Sequence, residues 1–279
     1  MSIVNSDPGE RGGTWGSNEA AEEWQRVAAQ RMQFFGPATE RMLDLADIRI
    51  GSRVLDVGAG AGDQTLAAAR RVGPTGFVLA TDISGSMLEM TAISARRQGL
   101  SNVEARVMDA ERLDLESDSF DVVISRFALM LVPDIDRALT EIRRVLRRDG
   151  TVAALVFSKC PYLSIPHAVA RRVGSLTSPP EPFGEFRLAG VGVMGDAYRR
   201  GGFRDIAVHE FSTRRRFPSL AEAMQYAKES PLPLRELMVQ LSPAQREQAW
   251  AEIEHALLQF VGPHGYDSPC DLLIGIGTK

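Results

Sequence analysis

The feature that most limits the possible folds of this chain is a short apolar strand that runs directly into a glycine loop and then into a helix. The strand is RVLDVG (53–58), glycines stand at 58, 60 and 62, and the helix is DQTLAAARRV (63–72). Glycines let the backbone approach a ligand closely, and the first turn of a helix offers unpaired N–H donors. Such a loop alone is compatible with a NAD site or a plain tight turn, although its spacing differs from the dinucleotide fingerprint.

Strand and helix patterns alternate after this loop. Further strands are predicted at 77–82, 103–108, 120–125 and 151–158, and helices at 84–100 and 134–150. Strands separated by helices in this order indicate an α/β fold with a doubly wound parallel sheet. Ligands of such sheets bind at the carboxyl ends of the strands, near the point where the strand order reverses.

Outside this stretch the pattern is less regular. A helical segment over 18–48, which we expect to be broken at Gly36-Pro37, precedes the sheet as a lid or packing layer. Prolines and glycines indicate an insertion or lid at about 160–195, and a mostly helical one at about 217–262. Strand character returns at 205–217 and at 270–279.

Composition excludes several classes of protein. The 279 residues are 44% hydrophobic, and no run approaches the roughly 18 apolar residues of a membrane span. A net charge of −4 argues against a general affinity for nucleic-acid phosphates. Two cysteines, and no paired His or Cys at ligand spacing, argue against a disulfide framework and a metal site. The first residues lack the apolar core of a signal peptide, so we expect a cytoplasmic protein.

Acidic residues stand at the ends of the second and third predicted strands. Asp82 can accept both hydroxyls of a ribose, although a lone strand-end aspartate is more typical of a helix cap. Asp109 can accept the exocyclic amine of an adenine while the N–H of Ala110 meets a ring nitrogen, or it can be an ordinary turn residue. Together with the glycine loop, these strand ends fit one extended nucleoside ligand.

Five motifs follow one another in a characteristic order. They are VLDVGAGAGDQT, ATDISGSML, VMDAERL, FDVVISRFALMLVPD and EIRRVLRRDGTV. This set closely resembles the class I S-adenosylmethionine-dependent methyltransferases, above all the small-molecule branch that includes the ubiquinone/menaquinone C-methyltransferases, over about residues 40–158. The resemblance implies a Rossmann-like, seven-stranded sheet with an antiparallel last strand, S-adenosyl-L-methionine as cofactor, and a small-molecule acceptor. The implied segments are a tail with a helical lid (1–40), a cofactor-binding core (41–158) and a C-terminal half carrying the lid insertions (159–279).

By motif, the resemblance assigns most of the cofactor contacts. The residues expected at the methionine end are Asp56, Gly58, Ala59, Gly60 and Gln64. The residues expected at the adenine are Ile83, Met87, Asp109 and Ala110. Asp82 is expected to bind the ribose, and Arg126 to lie near the methionine and the sulfonium. Trp24 either covers the cofactor or is a plain core aromatic.

Catalysis in such a site consists mainly of aligning a nucleophile with the methyl group and excluding water. A general base is needed only where the acceptor is protonated at working pH. No motif dictates one, and the candidates in the predicted lid segments are His167, His264, Tyr162 and Tyr266. Apolar side chains in the same segments suit a largely apolar acceptor, or simply pack the lid on the sheet.

Other functions stay open on the sequence alone. The same fold and cofactor can serve non-methylating chemistry such as cyclisation, with identical cofactor motifs. A NAD(P)-dependent reductase is disfavoured by the glycine spacing and by Asp109-Ala110, and an inactive binding protein by the intact motifs. The segment 125–128 (SRFA) differs from the Asn-Pro-Pro-Tyr type tetrapeptide of amino-directed nucleic-acid methyltransferases. The sequence does not indicate an oligomeric state.

Overall fold

Strands and helices alternate through most of the chain, as the sequence predicts. The computed structural model describes residues 26–176, 184–229 and 233–279. The strands are β1 (Arg53–Val57), β2 (Phe77–Asp82), β3 (Val103–Val107), β4 (Phe120–Arg126), β5 (Leu146–Lys159), β6 (Arg204–Phe217), β7 (Val261–Gly262) and β8 (Gly265–Thr278). The helices are α1 (Ala28–Leu45), α2 (Asp63–Val72), α3 (Gly85–Arg97), α4 (Ile135–Val145), α5 (Pro161–Val173), α6 (Val193–Arg200), α7 (Leu220–Glu229), α8 (Pro233–Val239) and α9 (Pro243–Leu257).

These strands form one sheet in the order β3-β2-β1-β4-β5-β8-β6, and the two-residue β7 pairs with β8. The strands from β1 to β5 run parallel to their neighbours, whereas β8 is antiparallel to both β5 and β6. β1 and β2 are buried along nearly their whole length, as expected of strands covered on both faces. The predicted doubly wound sheet with an antiparallel last strand is confirmed.

The strand order reverses between β1 and β4, because the chain runs outward from β1 through β2 to β3 and then returns to the other side of β1. The register places Val57 beside Thr81, and Asp82 beside Val107. The carboxyl ends of these strands therefore share one edge, where ligands of open α/β sheets bind. The predicted cofactor residues follow these strand ends.

Helix α1 continues through Gly36-Pro37, so the predicted break at this point is wrong. A proline inside a helix costs about 3 kcal/mol, because it removes one backbone hydrogen bond and crowds the preceding turn. Packing on β5 and β6 offsets this cost. The apolar side chains of α1 that are buried there are Phe34, Phe35, Ala38, Met42 and Leu43, and each large one contributes about 1.5–3 kcal/mol when fully buried.

Helix α4 ends earlier than predicted, at Val145, and the chain passes directly into β5 at Leu146. The predicted helix over 134–150 is therefore wrong for its last residues. Leu146 pairs with Phe120 of β4, and the register shifts between Phe120 and Val122. Pairing with β4 thus extends β5 and shortens the helix. This is a tertiary effect, which the periodicity of the local sequence cannot predict.

Where they are described, the predicted lid segments are mostly helical, and the short strand β7 stands at the end of the second segment. Helix α5 packs against α8 and α9, and α7 packs on β6 and β8. Within the described ranges, no helix is long and apolar enough to cross a membrane, and no group of three or more His, Cys, Asp or Glu side chains is placed to hold a metal ion. The boundaries of the three predicted segments stay a prediction.

Candidate functional site

The glycine loop after β1 is held against the chain that follows β4. Gly58, Gly60 and Gly62 have φ values of 71°, 56° and 89°, the left-handed region that side chains with a Cβ rarely adopt. A Cβ on Gly58 would lie 2.1 Å from the Cβ of Ala128. The N–H groups of Gly58 and Ala59 donate to the carbonyl of Thr81 at 2.8 and 2.9 Å. The loop therefore has space only for glycine at position 58.

Asp82 at the end of β2 connects this loop to the next strand. Its two carboxylate oxygens accept hydrogen bonds from the N–H of Gly60 at 2.8 Å and from the N–H of Ser84 at 2.9 Å. Its carbonyl accepts from the N–H of Met108 at 3.0 Å, which joins it to the end of β3. Burial raises the pKa of Asp82, although the N–H groups of Ser84 and Gly60 act in the opposite direction. Asp82 thus lies at the junction of the predicted methionine, ribose and adenine sites.

Asp56 lies beneath the loop and is fully buried. Its carboxylate accepts from Gln64 Nε2 at 3.0 Å and from Thr65 Oγ1 at 2.5 Å. Gln64 Nε2 also donates to the carbonyl of Ala59 at 3.3 Å, whereas the buried Oε1 of Gln64 has no hydrogen-bond partner within the described ranges. Burial raises the pKa of Asp56 to about 7. In this arrangement Asp56 fixes the first turn of α2 and the Gln64 amide beside the loop.

The residues predicted at the adenine follow β2 and β3. Met87 is buried and packs against Ala61 of the glycine loop, and Ile83 is half-buried beside Asp82. Asp109 Oδ1 accepts from the N–H of Glu111 at 2.9 Å. Asp109 therefore also stabilises a turn, as the alternative prediction of an ordinary turn residue requires. Ala110 is half-buried in the same turn. Asp82 and Met108 connect this group to the loop.

A buried ionic cluster, which the sequence analysis missed in part, stands at the first turn of α2. Asp63 Oδ2 accepts from Arg31 Nε and from Arg126 Nη2, each at 2.7 Å. Arg126 Nη1 donates to Thr39 Oγ1 at 3.2 Å. Burial raises the pKa of Asp63, but the charges of Arg126 and Arg31 outweigh it and hold the pKa at about 2. Two guanidinium groups thus meet one carboxylate beside the glycine loop.

Only Arg126 of these three charged side chains was predicted. Arg31 was not predicted, because the sequence pattern of its helix was interpreted only from the apolar residues. Its position on that apolar face nevertheless indicates a buried arginine. It lies one turn before Phe35, and both side chains are buried. An arginine within an apolar stripe is placed to meet a buried partner, here Asp63.

Aromatic side chains border the cluster. Phe127, directly after Arg126, has a φ of 58°, which is unusual for a bulky residue and occurs mainly at functional sites. Its ring stacks on Phe157 with centroids 4.4 Å apart and meets the edge of Phe35 at 4.8 Å. The strained backbone thus holds an aromatic surface next to the ionic cluster.

The predicted base candidates lie in different environments. Tyr162 and Tyr266 are buried with ring centroids 5.9 Å apart, and the Tyr162 hydroxyl donates to the carbonyl of Ala223 at 2.6 Å. Burial raises the pKa of Tyr162 well above its usual range and that of Tyr266 to about 12. His167 is buried with Nδ1 2.7 Å from the carbonyl of Leu163, and His264 is exposed in the turn before β8. Trp24, predicted to cover the cofactor or to be a core aromatic, lies outside the described residues.

Comparison with known proteins gives matches over this same region. A family profile described as a methyltransferase domain matches residues 48–168. Nocamycin O-methyltransferase of Saccharothrix syringae is 33% identical over 209 residues, which are 70% of this chain and 74% of that protein. The ubiquinone/menaquinone biosynthesis C-methyltransferase UbiE of Idiomarina loihiensis is 40% identical over 118 residues, 42% of this chain. That match spans 47%, about half, of the relative's length.

A solved structure shares the fold over almost the whole chain. It is phosphoethanolamine N-methyltransferase 2 of Haemonchus contortus in complex with phosphomonomethylethanolamine and S-adenosylhomocysteine. The TM-score is 0.61 at 18% identity, and the match covers 99% of this chain and 61% of that one. At this identity the likeness concerns the fold.

Proposed function

Because the chain belongs to the S-adenosylmethionine-dependent methyltransferases, we propose that it methylates a small, largely apolar acceptor in secondary metabolism. One observation carries the proposal: the loop, Asp82 and the ionic cluster adjoin the Phe35–Phe127–Phe157 surface at one edge of the sheet. The two curated relatives are named for nocamycin and for ubiquinone/menaquinone biosynthesis, which supports a small biosynthetic acceptor.

The residues at this edge fit S-adenosylmethionine. The guanidinium groups of Arg31 and Arg126 beside the loop suit the carboxylate of its methionine part. The Oε1 of Gln64, which has no hydrogen-bond partner among the described residues, is an acceptor suited to its ammonium group. Asp82 would bind the ribose, and Met87 with Ile83 would pack on the adenine. Asp109 and Ala110 would meet the adenine edge, while Asp56 acts through Gln64 and the loop.

When bound, S-adenosylmethionine supplies a methyl group made electrophilic by its positive sulfur. The chain's own contribution is to orient the acceptor and to exclude water. Phe35, Phe127 and Phe157 form an apolar surface suited to both tasks, since a dry surface beside Arg126 strengthens the electrostatic contacts there. Tyr162 and Tyr266 do not fit the role of a base, because burial raises the pKa of both phenols. They fit neutral contacts to the acceptor, and His167 and His264 remain predictions.

The proposed setting is the cytoplasm, with a small molecule rather than a nucleic acid as acceptor. Cys160 and Cys270 are both free thiols and both buried, which suits a reducing compartment. The net charge of −4 opposes binding to polyanions.

Calorimetric titration with S-adenosylmethionine and S-adenosylhomocysteine tests the cofactor half of the proposal. We expect both to bind, and the folded Asp82→Ala variant to bind both more weakly. Mass spectrometry of acceptor mixtures then tests the reaction, and the expected product gains the mass of one methylene. Turnover without this gain would favour cyclisation or related chemistry, and binding of NADH in place of both cofactor forms would overturn the proposal.

A further inference from the structure

Arg215 is a buried cation for which the described residues offer no carboxylate partner. It stands near the carboxyl end of β6, directly across from Ser268 of β8, and only 2% of it is exposed. Among the side chains that the structure describes, no aspartate or glutamate forms an ion pair with it. Burying a charge without a partner costs several kcal/mol, so such a residue calls for an explanation.

Four aromatic rings surround this guanidinium. Its Cζ lies 5.3 Å from the ring centroid of Phe34, 4.9 Å from Phe35, 4.8 Å from Tyr162 and 5.8 Å from Tyr226. We call Arg215 and these four side chains the Arg215 box. Rings stabilise a cation through their faces, but they offer no lone pair to its N–H groups.

Part of the hydrogen-bonding capacity of Arg215 is unused among the residues that the structure describes. Its Nε and Nη1 are buried there without a hydrogen-bond partner. Burial raises the pKa of Cys160, but its contact with Cys270 and the Arg215 charge outweigh this and lower the pKa. Arg215 thus keeps two charged donors that meet no hydrogen-bond acceptor in the described part of the chain.

The box adjoins the proposed active site. Phe35 belongs to the box, and its ring centroid lies 4.8 Å from that of Phe127. Phe127 directly follows Arg126 of the ionic cluster. Helix α1 makes the second connection, because Arg31 and Phe35 are one turn apart on it. A small aromatic molecule held in the box would therefore extend along the aromatic surface toward the glycine loop.

We propose that Arg215 binds an anionic oxygen of the acceptor, so that the substrate class is an aromatic molecule carrying a carboxylate, enolate or phenolate. Such an oxygen would accept charge-assisted hydrogen bonds from Nε and Nη1 of Arg215. The surrounding rings would stack on the aromatic part of the acceptor molecule. This inference rests on the proposed function, since it assigns the acceptor side of the same site.

Calorimetry on protein saturated with S-adenosylhomocysteine tests the assignment with a matched pair of probes, 2-naphthoate and 2-naphthamide. We expect wild-type protein to bind the acid about 10- to 100-fold more tightly, the range for hydrogen bonds to a charged group. Arg215→Met should abolish this preference, because methionine keeps the apolar volume and removes the donors. Arg214→Met is the control, since Arg214 is the exposed neighbour on the opposite face and pairs with Asp267; it should keep the preference.

The stability of Arg215→Met separates binding from a structural role. If Arg215 serves to bind a ligand, its buried charge destabilises the ligand-free protein. Arg215→Met should therefore be at least as stable to urea as wild-type protein. The inference is overturned if Arg215→Met still prefers the acid. It is also overturned if wild-type protein binds the acid no more tightly than the amide, or binds neither. Should Arg215→Met not fold, the wild-type comparison decides. Failure of S-adenosylhomocysteine to bind wild-type protein would instead contradict the proposed function.

Discussion

Replacing Gly58 by alanine tests the link between loop geometry and cofactor binding. Gly58 has a φ of 71°, and a Cβ there would lie 2.1 Å from the Cβ of Ala128. The left-handed backbone costs an L-residue about 1–2 kcal/mol, and the steric overlap adds about 1–3 kcal/mol because neighbouring backbone must move. We therefore expect Gly58→Ala to lower the free energy of unfolding by about 2–5 kcal/mol, within the 5–15 kcal/mol of a typical domain.

Two further variants separate strain from overlap. Gly99 has a φ of 68°, but a Cβ there would meet nothing within 4 Å. Gly99→Ala should therefore show the backbone cost alone, about 1–2 kcal/mol, and leave cofactor affinity unchanged. Ala128→Gly removes the atom that the new Cβ would strike. The double variant Gly58→Ala/Ala128→Gly should thus recover about 1–3 kcal/mol relative to additivity.

Urea unfolding and calorimetry with S-adenosylhomocysteine supply the two readouts. We expect at least about tenfold weaker cofactor binding for Gly58→Ala, equivalent to about 1.4 kcal/mol, because the shifted loop carries the Gly60 N–H that Asp82 accepts. The reasoning is refuted if Gly58→Ala loses no more stability than Gly99→Ala and the double variant shows no coupling.

Three further variants test the acidic residues of the site. Asp82→Ala should weaken cofactor binding by about 1.5–3 kcal/mol, and unchanged calorimetric affinity in the folded variant would remove Asp82 from the site. The pKa of Asp56 is raised from 3.8 to about 7 in the folded protein. Because the unfolded chain loses this proton at lower pH, the free energy of unfolding of wild-type protein should fall by up to about 4 kcal/mol as pH rises from about 4 to 7. Asp56→Asn should show a correspondingly smaller fall in urea unfolding across that window, and an equal fall in both proteins would contradict the pKa. Asp63→Asn should cost about 3–5 kcal/mol at neutral pH, because it removes the carboxylate charge that two buried guanidinium groups contact. The exposed pair of Asp136 with Arg200 is its control, and Asp136→Asn should cost under about 1 kcal/mol; similar costs would argue against a buried ionic cluster.

Local pattern was sufficient to predict the sheet and to group the residues that are proposed to bind the cofactor. The predicted helix 63–72 is α2, and the predicted strand 77–82 is β2. A parallel sheet then forces successive strand ends to one edge, so the loop, Asp82 and Asp109 could be grouped without coordinates. The predictions that failed were about element length: the break at Gly36-Pro37 and the extension of α4 beyond Val145. In both places burial against the sheet outweighs the local preference.

The sequence by itself determined the fold class, the family and the edge of the sheet at which the cofactor is proposed to bind, because each depends on short-range periodicity and on motifs contiguous in the chain. Only the tertiary structure brought Arg31 and Arg126 onto Asp63, and Arg215 into a ring of aromatics drawn from α1, α5 and α7. These partners are far apart in sequence, and a charge acquires its partner, its burial and its pKa only from what folding packs around it. The residues proposed for the cofactor could thus be predicted from the sequence, whereas the proposed acceptor site depends on the packing of distant elements.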